Sequence, residues 1–290
     1  MRVREADDQA AGARTHAERL ASRDGYFAPS SVIRRVGNTP VTPFLGGGTA
    51  VLLQVAHPLV AAGVVEHSDF RCDLWRRLVR TLRALYLIVY GTRAEAEQAG
   101  AAVRAVHTRV RGVTREPLGR FPAGTPYSAT TPELMLWVHA TLVQASLSAY
   151  QRFAAKLTAP EEESYYQQMA LVARLFGTPA TVLPRTLPEF RDYFDAQVDG
   201  GDICVTRPAR EIASVILDAP LPAPIRLLAP AHRLATAALL PVKLRRAYGL
   251  RLSPFHEFAL PLAARALHIS AIPALRIASR VAPPPRALAA

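Results

Sequence analysis

Residues 49–66, TAVLLQVAHPLVAAGVVE, are apolar nearly all round, which predicts a central helix buried on every side. Pro58 lies inside this run. An interior proline removes one ladder hydrogen bond and bends a helix, so a bend with a freed carbonyl is expected near His57. The glycines at 46–48 lack the third glycine and the preceding strand of a dinucleotide-binding turn, and read as a flexible entry into this helix. Downstream, Leu74, Leu78, Leu82 and Leu85 recur at helical spacing, predicting a helix over 73–90 that Gly91 ends. A third helix, 94–111, carries the stripe Val103, Val106 and Val110 and stops at Gly112. Residues 112–131 read as loop. Thr131, Pro132 and Glu133 then supply a cap, a first-turn proline and a dipole-matched acid for a fourth helix running to Phe153. A fifth opens at Ala159-Pro160-Glu161 and ends near Gly177, with shorter helices over 188–196, 207–217, 224–247 and 255–270. No stretch alternates with period two for long enough to compete as a sheet. The expected fold is all-α, a single-domain helical bundle: an N-terminal arm at 1–30, the helical domain at 31–250 and a basic helical extension at 251–290.

Composition narrows the class. The chain has 290 residues, half of them apolar and 20% charged, so one sizeable core can be buried and disorder falls away. Cys72 and Cys204 are too few for a disulfide framework and too far apart for a zinc or redox pair, and are expected as buried thiols. Acids and bases run through the N-terminal residues without an apolar h-region, which points to a cytoplasmic protein. The net charge of +12 is concentrated: residues 221–290 hold ten Lys or Arg and one acid, Glu257. These bases alternate with Leu, Ala, Ile and Pro and not with stacking aromatics, so no nucleic-acid partner is expected. Two readings of the basic region remain, a peripheral contact with anionic lipid, or helices whose Arg stems cover apolar surface while the heads stay wet. No apolar run reaches the ~18 residues of a membrane span.

Several chemistries are missing. None of the eight histidines forms HExxH or a Glu-x-x-His pair, and there is no G-x-S-x-G elbow. His107 lies on the apolar stripe of its helix with Arg104 and Arg111 a turn away on either side, the setting of an axial haem ligand with propionate partners or of a core histidine bonded to a carbonyl. His139, among Met135, Val138 and Leu142, has the same credentials, and periodicity does not choose between them. On the preceding helix Arg77 and Thr81 share one face beside Leu74 and Leu78. A guanidinium and a hydroxyl directed at apolar surroundings need a partner, which bound oxygen, a propionate or Glu66 would supply. The alternative is a surface Arg with Thr81 bonded back to its own helix.

Four segments in order, VLLQVAHPLVAAGVVEHSDF, RRLVRTLRALYLIVYG, VRAVHTRVRG and ELMLWVHATLV, resemble the bacterial branch of the MpaB-type and rubber-oxygenase (latex-clearing protein) family over residues 35–250. The resemblance implies an all-α fold with a buried, non-covalent haem b and oxidation of apolar, often isoprenoid, chains by O2. Its V-R-x-x-H segment, whose histidine ligates the iron, falls on Val103 to His107, placing Arg104 beside the ligand. Its distal Arg-x-x-Lys-Thr falls on Arg77, Arg80 and Thr81, with arginine in place of lysine, which keeps the charge and changes its geometry. Glu66 is the nearest counterpart of the family's distal base, although its separation from Arg77 departs from the pattern. The implied function is a haem b-dependent oxygenase acting on a terpenoid or acyl chain; the alternative is a non-catalytic haem- or lipid-binding protein with a second strong iron ligand, for which His57, His67 and His139 are candidates.

Overall fold

The computed structural model describes residue 19 and residues 24–67, 74–218, 229–256, 258 and 260. The chain is a helical bundle, as the patterning predicts. Helices α1 (Val32–Gly37), α2 (Val41–Val55), α3 (Pro58–His67), α4 (Leu74–Tyr90) and α5 (Arg93–His107) precede a short hairpin, β1 (Arg111–Val113) and β2 (Pro126–Ser128). Then come α6 (Pro132–Phe153), α7 (Ala159–Leu175), a 3-10 turn (Ala180–Val182), α8 (Leu187–Asp199), α9 (Arg207–Leu217), α10 (Ala229–Leu239) and α11 (Val242–Ala247). The expected helix at 255–270 lies mostly outside the described residues.

The apolar run does not form one bent helix. It divides at Pro58 into α2 and α3, whose axes differ by 103°. Pro58 takes the first position of α3, where its missing N–H costs nothing. The carbonyls released at this corner find specific donors. The His57 N–H bonds Gln54 O at 3.2 Å, one residue short of helical register, and the Trp137 indole donates to Leu53 O at 3.2 Å. The Cys204 N–H takes Ala56 O at 2.9 Å. The corner is thus tied to α6 and to the segment before α9, because buried backbone groups must be paired. No single described helix is long and apolar enough to cross a membrane; α2 and α3 pass only as this bent pair, and Leu52, Leu53, Ala56 and Ala61 are buried within the protein.

Helix α2 is the central element, packed on α6, α9 and α10. The glycines at 46–48, expected as a flexible entry, are in fact inside it. A Cβ on Gly46 would lie 3.0 Å from Ala145 O, and one on Gly48 only 2.5 Å from Thr236 Oγ1. Two glycines therefore let two helices approach α2 closely, while Gly47 faces open space. The indole of Trp137 stacks on Phe194 with ring centres 5.6 Å apart, joining α6 to α8.

Two expected stripes are displaced. On α5 the buried face is Ala96, Ala99 and Gly100, whereas Val106 is 54% exposed and Val103 and Val110 are half-buried. On α4 the buried residues are Ile88, Val89 and Tyr90, and Leu82 is 41% exposed; the side chains of Leu74 and Leu78 lie outside the described residues. The start of α5 is fixed by a capping box in which Glu95 N–H donates to Thr92 Oγ1 and Thr92 N–H to Glu95 Oε2.

Candidate functional site

Helices α4 and α5 pack as a pair, and α3 closes on the hairpin that follows α5. A Cβ on Gly63 of α3 would touch Val110 Cγ1 and Tyr127 Cε2, both at 3.5 Å. His107 is the last residue of α5. Its ring is half-buried, not fully inward as the stripe suggested, beside the exposed Val106.

Glu66 sits at the end of α3 with both carboxylate oxygens engaged. The Tyr127 hydroxyl donates to Oε2, and Arg115 Nε donates to Oε1 at 2.8 Å. Burial and the neighbouring carboxylate push the Tyr127 phenol well above its ordinary range, so it stays protonated and continues to donate. Gly112 permits this approach, since a Cβ there would lie 2.6 Å from the Tyr127 hydroxyl oxygen and 3.0 Å from Glu66 Oε2. Tyr127 and Arg115 lie in a segment without periodicity, and nothing in the sequence marks them as partners of Glu66.

Arg104 points toward α7: its guanidinium donates to Leu175 O, the last carbonyl of that helix, where a cation complements the helix dipole. Its stem lies against Gly177, whose φ of +97° is open to glycine alone at little cost. Arg80 and Thr81 are on the exposed part of α4, and the side chain of Arg77 lies outside the described residues. Glu66 and His67 thus lie against the hairpin that follows His107, and α4 packs along α5.

His139 has a different setting. It is 5% exposed on α6, and neither ring nitrogen has a hydrogen-bond partner. Burial alone lowers its pKa to about 4, keeping the ring neutral at pH 7, as a metal-ligating imidazole must be. The other candidate second ligands each have one ring nitrogen engaged: His57 Nδ1 accepts the Leu59 N–H at 3.2 Å, and His67 Nε2 lies 3.1 Å from Arg111 O. Burial lowers the pKa of His57 to about 4 as well, with Asp202 opposing the shift and Arg120 adding to it. Cys204 is a half-buried thiol whose pKa is raised by burial; Cys72 lies outside the described residues. Among the described residues no three His, Cys, Asp or Glu side chains form a metal cluster, so an all-protein metal cage has no support there.

Two mycobacterial proteins are similar to the chain, an uncharacterized protein of Mycobacterium tuberculosis and one of Mycobacterium bovis. Each is 26% identical over 204 residues, which is 67% of this chain and 75% of the relative. No solved structure matches the chain significantly. The family described as ER-bound oxygenase mpaB/B'/Rubber oxygenase, catalytic domain, matches residues 34–269, and the chain belongs to this family of oxygenase catalytic domains.

Proposed function

We propose that the chain is a haem b-dependent oxygenase that uses O2 to oxidise an apolar small molecule, a terpenoid or acyl chain, with His107 as the iron ligand. Membership of an oxygenase family supports the reaction class, and the V-R-x-x-H segment singles out His107. The observation that carries the cofactor reading is the surface around this residue. Of the paired helices, α4 carries the exposed Arg80 and Leu82, and α5 the exposed Val106 beside the half-buried His107 imidazole. Apolar side chains for a macrocycle, a guanidinium for a carboxylate and an imidazole for iron fit the chemistry of haem. Haem, when bound, supplies the redox chemistry with O2 that no side chain in this region offers.

The protein's own contribution is binding and electrostatics. His107 would hold the haem through its imidazole, with Val106 supplying apolar contact beside it. Arg77, Arg80 and Thr81, which match the family's distal segment, would supply the donors for developing negative charge. Glu66, oriented by Tyr127 and Arg115, would be the family's distal base in this chain. The test replaces His107 by glycine. H107G should lose haem on gel filtration and regain it, with a restored Soret band, when imidazole is added. Full haem retention by H107G without imidazole would refute the assignment.

A second reading, a non-catalytic haem protein, is favoured by one observation, the two unpartnered nitrogens of His139. In that reading His139 as well as His107 would hold the haem, and the group would then supply no O2 chemistry. A low-spin spectrum that does not respond to carbon monoxide, and that becomes responsive in H139L, would establish it.

A further inference from the structure

The C-terminal face of the described structure combines features that the oxygenase reading does not use. Phe255 and Phe258 are 73% and 75% exposed, far more than a core-forming residue tolerates. They are not on a loose strand. Residues 254–256, 258 and 260 are helical, the Ser253 hydroxyl accepts the His256 N–H at 3.3 Å as a cap, and Leu260 is buried with Leu45, Phe153 and Leu239. The anchored turn therefore presents two phenylalanines three residues apart, on one helical face, to solvent.

Cations lie close to this turn in the chain. Arg246 and Arg251 are exposed, and Arg251 with Arg233 flanks a cavity of about 270 Å³ floored by Leu234, Ala237 and Leu250. Arg233 is also paired with Asp218 at 2.7 Å. Over residues 221–290 the balance is ten bases to one acid. Like charge on both partners opposes self-association through this face, whereas an anionic bilayer offers complementary charge and an apolar layer to receive the rings.

We infer that this face docks on an anionic membrane surface, with Phe255 and Phe258 inserted at the headgroup boundary and Arg246 and Arg251 on the lipid phosphates. The site is independent of haem, and its test does not need a loaded enzyme. Full-length protein is sedimented with phosphatidylcholine vesicles containing either none or about 30% phosphatidylglycerol, where each basic side chain near the surface contributes about a fivefold gain. Binding should require the anionic lipid and fall with salt. F255S/F258S, two changes at solvent-exposed positions, should weaken it about tenfold or more. In F258W the new indole should shift its emission to the blue when anionic vesicles are added. No binding, equal binding to neutral vesicles, unchanged binding by F255S/F258S, or a double variant that alters only the oligomeric state would each overturn the proposal.

Discussion

Replacing His139 by leucine gives the sharpest separation between structure and function at the core of α6. The imidazole is buried with neither nitrogen hydrogen-bonded, and an unsatisfied buried polar group costs about 1–3 kcal/mol. Leucine is of similar size and removes that cost, so haem-free H139L should be more stable than the parent by about 1–3 kcal/mol at pH 7.5. Proton linkage adds a second signature. The folded-state pKa is about 4 against an ordinary value of 6.5, so between these limits the unfolded chain binds the proton and the folded one does not. The parent's stability is therefore full above pH 6.5 and falls as pH drops toward 4, by roughly 3 kcal/mol from this residue. At pH 5 the loss is about 2 kcal/mol, and H139L escapes it. His57 contributes a similar slope in both proteins and cancels in the difference. Urea denaturation of haem-free protein followed by circular dichroism at pH 7.5 and pH 5 measures both quantities. An H139L protein less stable than the parent at both values, with no widening of the gap at pH 5, would refute the reasoning, since the imidazole would then be stabilising the fold.

Three other substitutions probe how the site is supported. Gly48→Ala should destabilise by about 1–3 kcal/mol, because its methyl would sit 2.5 Å from Thr236 Oγ1 in a filled interface, whereas Gly47→Ala should stabilise by up to about 1 kcal/mol through helix propensity alone. Opposite signs in thermal unfolding are expected, and equal effects would mean that α10 does not approach α2 through Gly48. Thr92→Ala removes the capping box of the helix that ends at His107 and should cost about 1 kcal/mol, read as a lower midpoint in urea.

How far the sequence could be read depended on what kind of signal each feature left. Caps and breakers are local, so Thr131-Pro132-Glu133 and Ala159-Pro160 marked the starts of α6 and α7 accurately. Pro58 announced a bend, but the full break into two helices was not legible, because the partners of the released carbonyls, Trp137 and Cys204, lie about 80 and 150 residues away in the chain. The glycines at 46–48 looked like a loop since helix propensity disfavours them, and only the packing of α6 and α10 explains why they are tolerated. The valine stripe of α5 misplaced the buried face for a related reason: small residues, Ala96, Ala99 and Gly100, carry the close contacts, and periodicity weighted by hydrophobic size overlooks them. For the site, the four ordered segments carried the family. The pairing of Glu66 with Tyr127 and Arg115 depends on a tertiary closure that neither local sequence describes.

The most direct measurement of the central claim is the visible spectrum of the purified full-length chain after loading with haemin, recorded oxidised, reduced, and reduced under carbon monoxide. The account predicts a stoichiometric Soret band and a ferrous form that binds carbon monoxide, with an open position for O2. A chain that takes up no haemin, or one whose ferrous spectrum is unchanged by carbon monoxide, would contradict it.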